Sequence, residues 1–430
     1  MKEIIKGGAY RLLYMLFNFG IGLLIAYLSG TELFGLISLM IVNASIFHII
    51  SGLGTDSSIV WHGAKKNTSV DQLMTFTFST ALLQILVFII FTSLWLYFTG
   101  KTMLTGSIDF QVFLLELLYF MGLVWLEKYI SVWYANQMSM VCNRIILFII
   151  FILFLVLLPL YFGLNIFNLD PFTFFCFLPI VQAIPLIFYF HKKKSWRFTS
   201  ISNLDLQSLL SFSFIVFITN TIQFLAYRID YWIINHYHDV SEVGVYAQAN
   251  RFAQLIWVIP NIMAALMIPL IASPDSTFSK TDFSALIRGI IYVSLIMVFG
   301  VGILSYLLYM YFLPVDYLNG FKALLIMIPG FYFFILTILL AAWFSAQRIL
   351  WINFWGSLIC LAFIFITDII LIPSIGINGA ALGNSIGYSA SALFSIYMFL
   401  KLSSFKIHDL FIVQKNDFRK LLKWKFNNEK

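Results

Sequence analysis

The sequence carries little charge. Only 10% of its 430 residues are Asp, Glu, Lys or Arg, whereas a soluble globular chain is about a quarter charged. Apolar residues make up 61%, and 47 residues are Phe. A water-soluble fold could not bury so much apolar surface, so the composition excludes a disordered chain, a fibrous repeat and an ordinary soluble enzyme. The solvent it predicts is a lipid bilayer.

Cysteines and catalytic motifs are also scarce. The odd number of cysteines and the lack of a Cys-x-x-Cys pair argue against a disulfide framework or a zinc site. The chain has no phosphate-binding loop, nucleophile elbow or His-Glu-x-x-His helix. His236, His238 and Asp239 could approach a metal, but two ligands on a loop do not close a site, which favours a solvated loop. We therefore predict no catalytic residue, cofactor or metal, and a protein that is not an enzyme. The three cysteines, all in apolar runs, are Cys142, Cys176 and Cys360.

Long apolar runs, in contrast, recur along the whole chain. A helix needs about 20 mostly apolar residues to cross a bilayer, and the alternating pattern of membrane strands is absent. The sequence therefore predicts an all-α integral membrane protein with about twelve transmembrane helices. The predicted spans are 12–28, 34–54, 74–98, 111–135, 143–163, 171–190, 208–234, 243–272, 285–312, 321–346, 349–372 and 377–401.

The basic residues predict the orientation. If the N-terminus is cytoplasmic, 21 of the 26 Lys and Arg residues lie on the cytoplasmic side, as the positive-inside rule requires. Lys101 and Lys322 lie on the other side. Both termini are then cytoplasmic, and the net charge of +7 reflects topology, not a nucleic-acid partner, because no soluble basic module exists to bind one.

The longest polar break divides the spans into two sets of six. We predict an N-terminal six-helix lobe at 1–190, a cytoplasmic basic linker at 191–207, a C-terminal six-helix lobe at 208–402 and a basic cytoplasmic tail at 403–430. Loops are short throughout, and no soluble domain is appended. A membrane glycan polymerase or ligase usually has a larger external portion, so this pattern argues against one.

The two halves share a weak sequence similarity. Glu32 and Gly35 open the second span, and Glu242 and Gly244 open the eighth. An acidic residue suits the positive N-terminal end of a helix dipole. Both pairs lie on the external side, which indicates a parallel duplication about an axis along the membrane normal.

The most informative residues are charges inside spans, because each costs about 2.5–3.5 kcal/mol unless it faces a cavity or a partner. Arg228 and Arg251 lie at similar depths in adjacent spans. Arg228 and Asp230 are two residues apart and point to different faces. We expect Asp230 to pair with Arg251, which leaves Arg228 to meet a ligand. A closed ion network that only joins the two spans is the alternative.

A second charged group lies in the inner half of the first lobe. Arg11 and Arg144 begin spans and could simply reach the interface. Lys128 is deeper, and the adjacent Glu127 cannot face it on a helix. Further candidates for ion pairs or a coupling proton are Asp56, Glu116 and Asp368.

Uncharged polar residues and helix-breaking residues complete the pattern. Amides such as Asn18 and Gln248 suit a wet cavity, although helix–helix hydrogen bonding also explains them. His48 is expected to be a satisfied core histidine. Close helix packing is expected at Gly379, Gly383 and Gly387. Kinks are expected at Pro260, Pro269 and Pro329.

Several segments together resemble a known family. The segments are Gly30–Leu36, Gly52–Gly54, Tyr227–Tyr231, Glu242–Arg251, Ile268–Ile271 and Ile372–Gly383. In their order and spacing on twelve spans, they are similar to the polysaccharide flippases of the MOP superfamily, and most to the Wzx-type exporters of O-antigen or capsule repeat units.

The resemblance implies a MATE-like bundle of two six-helix lobes around a central cavity in the bacterial inner membrane. The implied substrate is an undecaprenyl-diphosphate-linked oligosaccharide, and the implied partners are a polysaccharide polymerase and chain-length machinery. The acidic residues depart from a purely cationic cavity, which weakens any inference that the glycan is acidic. The predicted substrate-binding residues are Arg228, Arg251, Lys128, Arg11, Asn18 and Gln248. The predicted structural or coupling residues are Asp230, Glu127, Asp56 and Asp368.

Three functions remain open at this point. The first is a flippase that works by alternating access. The second is a multidrug or cation antiporter of the same superfamily, which should place acidic residues deep in the bundle. The third is a membrane glycan polymerase or ligase. A purely structural scaffold would not need charges inside its spans. Without an ATP-binding motif, the energy for transport comes from an ion gradient, the membrane potential or consumption of the product.

Overall fold

The computed structural model describes residues 2–64, 69–164, 170–199, 206–272, 280–403, 405–412, 414 and 417. Within these residues the chain is helical and contains no strand. The fold is that of an all-α integral membrane protein. Its helices are α1 (Lys2–Gly52), α2 (Thr55–Ala64), α3 (Val70–Thr99), α4 (Phe110–Ala135), α5 (Ser139–Tyr161), α6 (Pro171–Lys193), α7 (Leu206–Tyr237), α8 (Val240–Gln254), α9 (Val258–Ala272), α10 (Lys280–Tyr311), α11 (Leu318–Ala346), α12 (Leu350–Ile375), α13 (Ile377–Leu402) and α14 (Ile407–Phe411).

The first two predicted spans form the two halves of α1. Gly30 breaks the 51-residue helix with φ 69° and ψ −178°. A side chain at this position would disfavour the left-handed φ, which glycine adopts at no steric cost. Glu32 lies two residues after the break, at the start of the second half, where its carboxylate suits the helix dipole as expected.

The described helices occupy all twelve predicted spans. Nine of them satisfy criteria of length and apolarity for crossing a membrane, and one of the nine, Lys6–Gly52, contains two predicted spans. The other two predicted spans correspond to α7 and α13, which have 32 and 26 residues. At 1.5 Å per residue, each is long enough to cross about 30 Å of hydrocarbon.

The chain divides into two compact units. The first, which we call the N-unit, is Lys2–Phe224, and the second, the C-unit, is Leu225–Lys430. The division falls within α7, after the predicted linker at 191–207. The first part of α7 belongs to the N-unit because it packs directly on the turn between α1 and α2: a Cβ at Gly54 would lie 2.3 Å from the carbonyl oxygen of Ser213.

The core of the N-unit is aromatic at its α4–α6 contact. Trp133 and Phe190 are fully buried there, with ring centroids 5.6 Å apart. At the other end of α4, Glu116 is 1% exposed and accepts hydrogen bonds from the backbone N–H of Leu104 and Thr105, at 3.2 and 2.9 Å. Glu116, considered above for an ion pair, instead holds the α3–α4 loop through these backbone donors.

The C-unit contains the close packing that its glycines predict. A Cβ at Gly379 would lie 2.7 Å from the backbone of Leu371, and one at Gly387 would lie 2.4 Å from Ile364. Between them, a Cβ at Gly383 would lie 2.1 Å from Oδ1 of Asp368. The glycines therefore let α12 and α13 approach each other along one face, which confirms the prediction for these three positions.

Proline residues interrupt two helices of the C-unit. The eighth predicted span is split into α8 and α9 by a 3₁₀ turn at Leu255–Trp257, just before Pro260. Proline has no backbone N–H, so it cannot donate the hydrogen bond that would continue the α-helix there. In α11, Pro329 lies within the helix, and the Ser385 hydroxyl of α13 inserts beside it. Its Oγ donates to the Ile326 carbonyl at 2.5 Å and accepts from Gly330 N at 3.3 Å.

The described residues after α13 contact α10. Arg288 is 1% exposed, and its guanidinium donates two hydrogen bonds of 2.7 Å to the carboxylate of Asp417 and another to the Asp409 carbonyl. The Tyr292 hydroxyl donates to the Phe411 carbonyl at 3.1 Å. This segment is therefore a packed part of the C-unit.

Candidate functional site: two polar clusters inside the helical units

A buried ion cluster joins four helices of the N-unit. Lys128 Nζ on α4 lies 2.8 Å from Oδ1 of Asp56 and donates to the Thr55 hydroxyl at 2.6 Å, both on α2. Nε2 of His48 on α1 lies 3.1 Å from Oδ2 of Asp56. Gln84 Nε2 on α3 contacts His48 Nδ1 at 3.0 Å. His48 is thus a satisfied core histidine, as expected.

The cluster changes the interpretation of Lys128. Sequence reasoning placed this cation among the substrate-binding residues, but its side chain is fully buried and paired. A buried ammonium is tolerated because the carboxylate neutralises it and the hydroxyl satisfies a further donor. Lys128 therefore acts as an internal ion-pair partner of Asp56, which corrects the prediction.

Arg11, Asn18 and Glu127 are more accessible in the N-unit. The Arg11 guanidinium lies 5.2 Å from the centroid of the Tyr14 ring, and the Tyr14 hydroxyl donates to Gln182 Oε1 at 3.2 Å. Asn18 is exposed, and Glu127 is half-buried, within electrostatic range of Arg11. These residues remain predicted, not established, parts of a binding site.

The polar cluster of the C-unit is centred on Asp230. Its carboxylate accepts hydrogen bonds from the Tyr246 hydroxyl on α8 and from Asn384 Nδ2 on α13, the latter at 3.2 Å. Asn384 Nδ2 also lies 2.6 Å from the Tyr246 oxygen. The backbone N–H of Tyr231 donates to Asp230 at 3.0 Å. Three helices thus meet at one buried carboxylate.

The two arginines lie on another side of this cluster. Arg228 Nη1 donates to the Tyr231 hydroxyl at 2.7 Å, and its guanidinium lies 5.1 Å from the centroid of that ring. Arg251 is half-buried and within electrostatic range of both Arg228 and Tyr231. The expected ion pair between Asp230 and Arg251 is not among the contacts of Asp230 in the described residues. The reason is that Asp230 is directed towards Tyr246 and Asn384 instead.

A second carboxylate is buried close to Asp230. Asp368 on α12 is 0% exposed, and in the described part of the chain neither of its oxygens has a hydrogen-bond donor. It lies against Gly383, next to the Asn384 that contacts Asp230, and the two carboxylates are within electrostatic range of each other. Asp368 is therefore a buried carboxylate inside the C-unit.

Gln248 was expected to line the substrate cavity. Its side chain is 0% exposed in α8, and neither amide atom has a hydrogen-bond partner among the described residues. A residue enclosed in this way does not face a cavity in this conformation, so the structure does not place Gln248 where the prediction put it.

The chemistry of the C-unit cluster follows from its charges. Two carboxylates in a low-dielectric interior repel each other, so the pair favours uptake of a proton or a cation. Carboxylate, amide and phenol oxygens are ligands that hard cations accept. Among the described residues, no group of three or more His, Cys, Asp or Glu forms a metal site.

His238 and Asp239, in the turn between α7 and α8, have structural partners. His238 Nε2 lies 2.8 Å from the carbonyl oxygen of Ile372 at the end of α12. Asp239 caps α8 by accepting a hydrogen bond of 3.0 Å from the Glu242 N–H, which holds the pKa of the Asp239 carboxyl below its ordinary value. Both contacts favour a structural role for these residues in the loop over binding of a metal.

Sequence reasoning missed the tyrosines of the C-unit cluster. Tyr231 and Tyr246 connect the charged residues, yet the chain has 21 tyrosines and nothing singles out these two by composition. The signal that could have found Tyr231 is its position directly after Asp230. The pairing of Asp56 with Lys128 gives no local signal, because the two residues are far apart in sequence.

Solved structures share this architecture. The lipid II flippase MurJ, in an inward closed conformation, has a TM-score of 0.71 and 17% identity, with 98% of this chain and 95% of that chain covered. A multidrug resistance MATE family transporter of the MOP superfamily has a TM-score of 0.61 and 13% identity over 93% and 98% of the two chains. A variant of the Vibrio cholerae MATE transporter VcmN has a TM-score of 0.62 and 16% identity, with 95% of this chain and 98% of that chain covered. The chain therefore shares its fold with these proteins.

The sequence itself assigns the family. Residues 24–319 match the model of the family described as polysaccharide biosynthesis protein. The match covers more than half of the chain, so the chain belongs to this family. A search of curated proteins gave no match.

Proposed function

We propose that this protein is a flippase that moves undecaprenyl-diphosphate-linked oligosaccharide repeat units across the bacterial inner membrane for O-antigen or capsule biosynthesis. Membership of a polysaccharide biosynthesis family and the MOP fold support this function. The proposed mechanism is alternating access, in which the headgroup crosses while the polyprenyl tail stays in lipid. The expected partners are the polymerase and chain-length machinery, and both termini are expected in the cytoplasm.

The observation that carries the proposal is the arrangement of Arg228 and Arg251 around Tyr231. The Arg228 hydrogen bond goes to a neutral phenol, and Asp230 is bonded to Tyr246 and Asn384. The two guanidinium groups therefore lie within electrostatic range of each other at one place in the C-unit. A planar guanidinium group can donate two parallel hydrogen bonds to two phosphate oxygens. The arrangement therefore suits a diphosphate headgroup.

The proposed source of energy is an ion gradient acting on Asp230 and Asp368. These carboxylates lie close together in a buried place, and binding of a proton or cation would relieve their repulsion. Asp230 also neighbours Arg228 along α7, so its charge state would influence the arginines. Asp368→Asn should therefore reduce transport driven by an ion gradient but leave substrate binding intact.

A multidrug or cation antiporter is the second candidate, and the same buried carboxylates favour it. Such a transporter needs deep acidic residues to bind cations. The two functions make opposite demands on the arginines, because a cationic drug would be repelled by them and a diphosphate attracted. Variants at Arg228 therefore distinguish the two.

The first experiment deletes the gene in its native bacterium and extracts the lipid-linked intermediates. The flippase predicts that diphosphate-linked single repeat units accumulate on the cytoplasmic leaflet, where externally added enzymes cannot reach them. Accumulation on the outer side would instead identify a polymerase. Unchanged surface glycan with altered drug sensitivity would identify an antiporter and refute the proposal.

The second experiment complements this deletion with variants. Arg228→Ala should abolish export at normal protein abundance, because the Arg228 hydrogen bond goes to the Tyr231 hydroxyl. Arg251→Ala should also reduce export, because it removes a second positive charge beside Arg228. Arg228→Lys should retain part of the activity, since it keeps the charge but loses the planar donor pair. Lys322→Ala is the matched control, because Lys322 is an exposed cation on α11. Wild-type surface glycan in Arg228→Ala would remove Arg228 from the site.

A further inference from the structure

The segment that follows α6 is fastened to the N-unit through one histidine. Nε1 of Trp196 donates a hydrogen bond of 2.8 Å to Nδ1 of His191. The other ring nitrogen, Nε2, lies 2.7 Å from the hydroxyl of Tyr129 on α4. Tyr129 is 2% exposed, and Trp196 packs against the core that surrounds it. His191 thus connects the segment to the buried end of α4.

The geometry fixes the protonation state of this histidine. An indole N–H can only donate, so Nδ1 of His191 must accept and cannot carry a proton. The imidazole is therefore neutral, with its proton on Nε2 directed to the Tyr129 oxygen. A second proton, on Nδ1, would point at the indole N–H and break this hydrogen bond.

The surroundings offer the protonated form no compensation. The hydroxyl of Tyr129 can accept from Nε2 in either state, so it does not favour the imidazolium. On α3, Asp71 accepts the backbone N–H of Arg197 at 3.2 Å. The charged residues next to His191 in the sequence are cationic, so they supply no carboxylate to pair with an imidazolium. They are Lys192, Lys193, Lys194 and Arg197.

Two further hydrogen bonds hold the same segment. Lys194 Nζ donates to Asn136 Oδ1 at 2.5 Å, and the Thr199 N–H donates to the Thr75 hydroxyl at 3.2 Å. With the Asp71 contact they place residues 194–199 along the ends of α3 and α4. The Trp196 ring lies 4.5 Å from that of Phe198, centroid to centroid, so loss of the indole anchor would loosen its neighbours.

We infer that His191 and Trp196 form a pH-sensitive latch that holds segment 194–199 on the N-unit and releases it when His191 is protonated. Histidine is the side chain whose ordinary titration falls between pH 5 and 8. The latch is closed while His191 is neutral and is lost as the pH falls through the titration of His191. The segment lies between α6 and the first part of α7, which both belong to the N-unit. The inference does not depend on the proposed substrate.

Hydrogen–deuterium exchange of the purified full-length protein tests the latch. Exchange of peptides covering 194–199 is measured from pH 8 to pH 5 and corrected for the intrinsic effect of pH on amide exchange. The amides of Arg197 and Thr199 report attachment, because both donate to side chains of α3. We expect their corrected exchange to become about three- to tenfold faster at pH 5, the range for loss of one net hydrogen bond.

Two variants and a control separate the latch from a general effect of acid. The glutamine of His191→Gln can accept a hydrogen bond from Trp196 and donate one to Tyr129, but it cannot titrate. The corrected amide exchange of this variant should therefore stay slow at every pH. Trp196→Phe keeps an aromatic ring but loses the indole N–H donor. Its corrected amide exchange should therefore be fast at every pH. His62→Gln, on α2, should behave like the wild type. A flat wild-type profile, or a pH-dependent profile in His191→Gln, would overturn the inference.

Discussion

Lys128 Nζ lies 2.8 Å from Oδ1 of Asp56, and the two side chains differ in exposure: Lys128 is 0% exposed and Asp56 is 28% exposed. Removing the carboxylate leaves a fully buried ammonium without its anion, whereas removing the ammonium leaves a partly exposed carboxylate that keeps its contact with His48. The two single substitutions should therefore differ in cost.

Asp56→Asn should destabilise the protein by about 3–5 kcal/mol, the range for an orphaned buried charge. Lys128→Met should cost less, and the double variant should recover part of the loss of Asp56→Asn. The measurement is thermal unfolding of the detergent-purified protein, with Lys322→Met as the exposed control. Equal losses for the two single variants would contradict this account of the cluster.

Gly383→Ala should disrupt the C-unit severely, because the new Cβ would lie 2.1 Å from Oδ1 of Asp368. Relief requires either a shift of the buried Asp368 carboxylate or separation of α12 from α13, and both changes disturb the neighbouring Asn384. Gly300→Ala is the matched control, since a Cβ at Gly300 meets no described atom within 4 Å. Immunoblots of membranes should show loss of Gly383→Ala protein only. Equal abundance of both variants would mean that the α12–α13 contact is not tight.

The Arg288–Asp417 pair should make the C-terminal segment necessary for stability. Asp417→Asn removes the charge that neutralises a buried guanidinium and should destabilise by about 3–5 kcal/mol. Truncation after Ile412 should have at least the same effect. Asp409→Asn is the control, because Asp409 contacts Arg288 only through its backbone carbonyl. The readout is the melting temperature, and partial rescue by the exchange Arg288→Asp with Asp417→Arg would confirm a direct pair.

The Ser385 hydroxyl should matter only because Pro329 interrupts α11. Ser385→Ala leaves the Ile326 carbonyl and the Gly330 N–H without this partner, at a cost of about 0.5–1.5 kcal/mol. In a Pro329→Ala background the helix ladder can close, so the same substitution should cost less. A double-mutant cycle by thermal unfolding measures the difference. Additive effects would show that the serine and the proline act independently.

Much of the fold could be predicted from hydropathy because a bilayer imposes a length on every span. The helices match the predicted ranges, and the glycines of α13 pack as their spacing of four indicates. The break at Gly30 and the turn before Pro260 also follow from local backbone chemistry. The sequence did not predict that the first part of α7 groups with the N-unit, because that depends on packing against Gly54.

The candidate site was harder to predict than the fold. Sequence alone identified charges inside spans that need a cavity or a partner, among them Lys128 and Asp230, and it named Asp368 as a further candidate. It could not assign their partners. Lys128 is paired with Asp56, Asp230 with Tyr246 and Asn384, and Asp368 lies against Gly383.

The sequence by itself therefore determined that this protein is a helical membrane protein, how many times its chain can cross the bilayer, and which residues are too polar to face lipid. Those properties follow from local composition, because the cost of exposing a polar group to hydrocarbon depends on the residue itself. Only the tertiary structure decided which polar groups meet. An ion pair or hydrogen bond needs its atoms within about 3 Å, and helices distant in sequence satisfy that condition only after they have packed.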